Sequence, residues 1–146
     1  MEALALDFDA VLGDTRPLWR AWLDDVGRRA RVEVELPEDR AAAAGVLDGA
    51  VGNWRALLER FAEEHAPVHL RPSAEVNAVL RRLSAGGVRL GAFTDAPEPL
   101  ARVAAAQLGV ARRLEALEAG AGAEERLLER LGPGARVVRS PAELPG

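Results

Sequence analysis

The chain has 146 residues, 49% of them hydrophobic and 29% charged, which suits one globular domain with a substantial apolar core and excludes a disordered chain. It has no cysteine, so disulfides, thiolate metal sites and a cysteine nucleophile are excluded. The net charge of −4 argues against a broad nucleic-acid surface. All 19 residues in the Lys+Arg count are arginine, so no side chain offers an amine for catalysis.

The start of the chain lacks the basic lead and long apolar run of a signal peptide. No stretch reaches the roughly 20 apolar residues of a membrane span. The expectation is a soluble cytoplasmic protein with no membrane partner. Residues 2–8 form a nearly continuous apolar run up to Asp7, the pattern of a central strand in a parallel sheet covered on both faces. Asp14, Thr15 and Pro17 are helix-start signals, and Leu18, Trp19, Trp22, Leu23 and Val26 then recur at helical spacing. Residues 31–36 alternate charged and apolar side chains and suit a short strand or a loop closed by Pro37. Helices are expected over 38–47 and 50–64, the second with Val51, Trp54, Leu57, Leu58 and Phe61 on one face. All three tryptophans fall in this mainly helical stretch, which reads as a small insert packed on itself.

From Pro72 the pattern alternates helix and strand. Pro72-Ser73 opens a helix with Val76, Val79, Leu80 and Leu83 inward, and Gly86-Gly87 closes it. A strand over 88–93 is followed by a helix over 97–108 that stops at Gly109, then by a short strand over 114–117. A helix over 124–131 and a strand over 135–138 follow. Alternation of this kind predicts a parallel α/β sheet.

Ligands of open parallel sheets sit at the carboxyl ends of the strands. Those ends carry Asp7 and Asp9, then Thr94 and Asp95, then Arg139, Ser140 and Glu143. Two carboxylates two residues apart, where a strand gives way to a turn, can divide nucleophile and general-acid work. His65 and His69 flank Pro67 and are read mainly as polar residues near a hinge, with a metal pair as the minor reading.

The run Leu6-Asp7-Phe8-Asp9-Ala10-Val11-Leu12-Gly13-Asp14-Thr15 resembles the first motif of the haloacid-dehalogenase-like (HAD) superfamily, and Phe93-Thr94-Asp95 is similar to its second. A helical insert directly after the first motif also resembles the family's type 1 cap. The resemblance, to a phosphoglycolate-phosphatase-like subgroup, implies a Rossmannoid core at 1–15 and 69–146 with helices on both faces, and a reduced cap at 16–68. It implies Asp7 as nucleophile through an aspartyl-phosphate and Asp9 as acid and base. Thr94, with Asp95 and Arg139, would bind the phosphate of a small phosphorylated metabolite. Asp7, Asp9 and Glu143 would hold Mg²⁺. The dehalogenases of the superfamily lack the second aspartate, so Asp9 favours phosphotransfer.

Two departures from the pattern follow. The family's third motif supplies a lysine ahead of the helix at 124, and here that stretch reads Glu-Ala-Gly-Ala-Gly-Ala over 118–123. Arg139 stands where the fourth motif has a magnesium-binding aspartate, with Glu143 in place of the second acid. Mg²⁺ is therefore expected to bind weakly or not at all. Arg139 is expected either to substitute in part for the lost cations or, more readily, to pair with Asp7 and tie it up. Two functions follow: a weak phosphomonoester hydrolase, or a degenerate HAD-fold protein that binds a ligand or partner without turnover. The family's fifth strand has no counterpart, and the sheet edge so exposed is one that a second copy would cover.

Overall fold

The computed structural model describes residues 2–30 and 36–145. Its elements run β1 (Ala3–Asp7), α1 (Arg16–Ala30), α2 (Arg40–Ala50), α3 (Trp54–His69), α4 (Ala74–Ala85), β2 (Arg89–Thr94), α5 (Glu98–Gln107), β3 (Ala116–Ala119), α6 (Ala123–Leu131) and β4 (Ala135–Val138). The strands form one parallel sheet in the order β3-β2-β1-β4. β1 is central, as its apolar run predicts, and the fold is the expected α/β one.

Alternation along β1 divides the core in two. Leu4 and Leu6 face a large cluster with Leu80, Leu90, Leu100 and Leu108, whereas Ala3 and Ala5 face a smaller one with Leu127 and Leu131 of α6. Alanine on the second face lets α6 lie close. Gly91 of β2 goes further, since an added Cβ there would sit 2.6 Å from the Leu127 side chain. The helical segment is not packed on itself alone. Leu18, Trp19, Trp22, Trp54 and Leu58 belong to the same cluster as Leu4 and Leu6, and α3 packs on both α1 and α5. The tryptophan rings meet in sequence, Trp19 to Trp22 at 5.3 Å and Trp22 to Trp54 at 5.9 Å.

Several boundaries differ from the sequence expectation. β1 stops at Asp7, because residues 8–12 form a wide turn closed by Gly13 N–H donating to the Phe8 carbonyl at 3.1 Å. α3 runs on past 64 to His69, carrying Pro67 within its last turn. His65 there stacks on Phe61 at 4.1 Å. The buried stripe of α3 is Trp54, Leu58, Ala62 and Ala66, a strict i, i+4 row that leaves Leu57 at 40% exposure. The third strand begins two residues late, because a short turn over Ala111–Arg113 consumes Leu114. Residues 31–35 of the expected strand or loop lie outside the described residues. Among the described residues no helix is long and apolar enough to cross a membrane.

Candidate functional site

Register brings the chemistry-bearing residues together. Asp7 pairs with Phe93 across β1 and β2, and Leu6 pairs with Val138 across β1 and β4. One step further along, Thr94 and Arg139 flank the start of the turn after β1. The wide turn then carries Asp9 back over the strand ends.

Asp9 is held on all sides. One carboxylate oxygen accepts the Thr15 backbone N–H at 2.8 Å and its hydroxyl at 2.5 Å. The other accepts the Thr94 hydroxyl at 2.7 Å and an Arg40 N–H at 2.9 Å. These four bonds use the lone-pair positions of a carboxylate. Thr94 is equally committed, since its hydroxyl proton goes to Asp9 while its oxygen accepts the Ala96 N–H at 3.2 Å. Asp14 and Thr15 start α1 as expected: Asp14 accepts the Arg16 N–H at 3.0 Å, and the Thr15 carbonyl accepts that of Trp19 at 3.0 Å. The Arg16 guanidinium also binds Asp14 and holds its carboxyl below the usual carboxylate range.

Asp7 stands apart from this knot. Burial pushes its pKa up, with the Asp9 and Glu124 charges acting in the same direction and the Ala10 backbone N–H acting against them. The Arg139 charge opposes the rise without forming the expected ion pair. The guanidinium instead bonds Glu124 at the start of α6 and lies 5.9 Å from the Phe93 ring centre. Register places Arg139 beside Asp7, but Glu124 at the start of α6 takes its guanidinium.

The expected magnesium set does not assemble. Glu143 accepts the Arg139 backbone N–H at 2.6 Å, and Arg139 itself holds the place of an acid. Among the described residues no group of three or more His, Asp or Glu is gathered as a metal site. Mg²⁺ asks for several oxygen donors in octahedral array. A donor set of Asp7 with a cation and an occupied glutamate around it does not fit that ion.

Arg40 is the residue that sequence reasoning missed. It opens α2 behind the N-cap Asp39, and its side chain is 4% exposed. The guanidinium bonds Thr15 Oγ1 at 2.6 Å, Asp9 at 2.9 Å and Asp95 at 2.6 Å, with Thr94 Oγ1 at 3.4 Å. The available signal was weak. A cation in the first turn of a helix opposes the macrodipole and so calls for an acidic partner elsewhere. Asp95 thus binds the Arg40 cation, where the sequence had suggested a phosphate contact.

Beside the knot lies a cleft of about 430 Å³, lined by Asp39, Thr94, Asp95, Gly120, Gly122 and Glu124 among others. Its walls contribute several carboxylates, so its field is unfavourable to a phosphate dianion unless a cation turns toward it.

No family model matches the chain, and no curated protein matches it in sequence. Among solved structures it is similar to the crystal structure of CbbY from Rhodobacter sphaeroides in complex with phosphate. The TM-score is 0.71 at 13% identity, covering 94% of this chain and 76% of that one. Similarity at this level establishes the architecture, and the chain has a HAD-like fold.

Proposed function

We propose that this is a HAD-fold protein that binds a small phosphorylated molecule without hydrolysing it. The observation that carries the reading is the state of Asp9. A general acid and base must exchange a proton with the reacting oxygen, and this carboxylate spends both oxygens on Thr15, Thr94 and Arg40. The cations that would draw a phosphate toward Asp7 are also engaged, Arg40 with Asp9 and Asp95 and Arg139 with Glu124. Arg139 is the group that supports binding. It is 56% exposed, and a guanidinium can exchange a surface carboxylate for a phosphate at small cost. Helices α1–α3 form the cap of this reading, expected over 16–68 and running one residue further to His69, and α2 supplies Arg40.

A second reading, slow hydrolysis through an aspartyl-phosphate on Asp7, is favoured by one specific feature. Among the described residues Asp7 forms no side-chain ion pair, the cation acting on it, Arg139, being bound to Glu124. Release of phosphate from a generic aryl phosphate, with and without Mg²⁺, separates the two. Wild type and Asp7→Asn are expected to be equally inactive, while inorganic phosphate raises the melting temperature of wild type but not of Arg139→Ala. Turnover that disappears in Asp7→Asn establishes the hydrolase. Absence of any phosphate effect on wild type removes the binding reading.

A further inference from the structure

We infer that Arg40 is the site's own cation, fixed where an oxygen-lined site would otherwise recruit a metal ion, and that it positions Asp9, Asp95 and Thr94 by its charge. Among the described residues its guanidinium bonds four oxygens. Two belong to carboxylates and two to threonine hydroxyls, contributed by the turn after β1, the start of α1 and the end of β2. Hard oxygen donors converging from separate segments are what a divalent cation selects. A guanidinium fulfils the same electrostatic need with directional N–H bonds and no exchangeable ion.

Burial makes the role specific. At 4% exposure the Arg40 side chain fills an enclosed position among these oxygens, and Asp9 is nearly as enclosed at 14%. Asp9, enclosed, and Asp95, 53% exposed, are like charges at neighbouring strand ends that would repel each other. The intervening cation removes that repulsion. Because Arg40 belongs to α2, the same charge pins this helix over the ends of β1 and β2. The assignment is independent of whether the site turns a substrate over.

Mn²⁺ uptake, followed by loss of the free-ion signal in electron paramagnetic resonance, tests it. Wild type and the charge-retaining Arg40→Lys are expected to leave Mn²⁺ free. The neutral Arg40→Met is expected to bind it about tenfold or more tightly than wild type, and adding Asp95→Asn to that variant should abolish the gain. The inference is overturned if Arg40→Met, shown folded by the near-ultraviolet dichroism of its tryptophans, takes up no Mn²⁺. It is equally overturned if wild type binds as tightly. Should Arg40→Met unfold, refolding with Mn²⁺ gives the same reading: recovery of the native dichroism supports a cation role, and no recovery overturns it. A purely steric role for the arginine would not produce a dependence on divalent ions.

Discussion

Two arginines stand on opposite sides of Asp7, each engaged by acids, and they differ mainly in burial. Arg40 reaches the strand ends from α2 with its side chain 4% exposed and bonds two carboxylates and two hydroxyls. Arg139 lies at the end of β4 with its side chain 56% exposed and bonds Glu124. Similar chemistry therefore has different consequences. A buried cation cannot be removed without stranding its partners, whereas an exposed pair competes with water and salt at every moment. One half of the site is fixed by a buried cation; the other is held by an exposed, exchangeable pair.

Removing the buried cation should have the largest effect. Arg40→Ala leaves Asp9 without its charge partner and is expected to cost about 3–5 kcal/mol in chemical denaturation. A loss below about 1 kcal/mol would place this arginine in the same class as exposed pairs and erase the contrast. Next in size comes the acid at the centre of the knot. Asp9→Asn keeps the shape but loses a charged acceptor, and a loss of about 1.5–3 kcal/mol is expected, the range for hydrogen bonds to charged groups.

Asp7 sharpens the comparison by reversing the sign. Burial raises its pKa, so the folded state holds its proton more tightly than the unfolded chain does. Stability therefore falls as pH rises from the ordinary aspartate value of 3.8 through the raised folded value, and the penalty is complete above it. Asp7→Asn removes that penalty. It is expected to stabilise the protein at pH 7 by less than Asp9→Asn destabilises it, and the difference from wild type should disappear below pH 3.8. Loss of stability at pH 7 would show an unseen favourable partner for Asp7.

The two sides of the site were also unequally legible in the sequence. β1, β2 and the placement of Asp7, Asp9 and Thr94 followed from an apolar run ending in acids and from glycine-stopped helices, because those patterns are local. The partner of Asp9 was not local. Arg40 lies 31 positions away in sequence, in a helix whose own pattern of alanines and one leucine says nothing about where its first side chain points. Arg139 follows the strand paired with β1, yet the partner expected for it, Asp7, is not the one it binds. Proximity to a half-buried carboxylate mattered less than access to Glu124 on the first turn of α6, where an acid also suits the helix dipole. Side-chain pairing depends on how helices dock, and helix docking here depended on details such as the missing Cβ at Gly91.

The smallest expected effect is at Arg139. Its pair with Glu124 is exposed at 56% and 30% on the two side chains, and its backbone N–H to Glu143 is unaffected by side-chain substitution. Arg139→Ala is therefore expected to change stability by no more than about 1 kcal/mol, and raising the salt concentration should shrink the difference further as the Debye length falls. The same salt series applied to Arg40→Ala should leave its much larger loss nearly unchanged, since the low-exposure pair is poorly screened. Denaturation of both variants at low and high ionic strength measures the distinction directly. If the Arg139 loss were large and salt-independent, the β4 side of the site would be as fixed as the α2 side. Arg139 would then not be free to leave Glu124 for a phosphate.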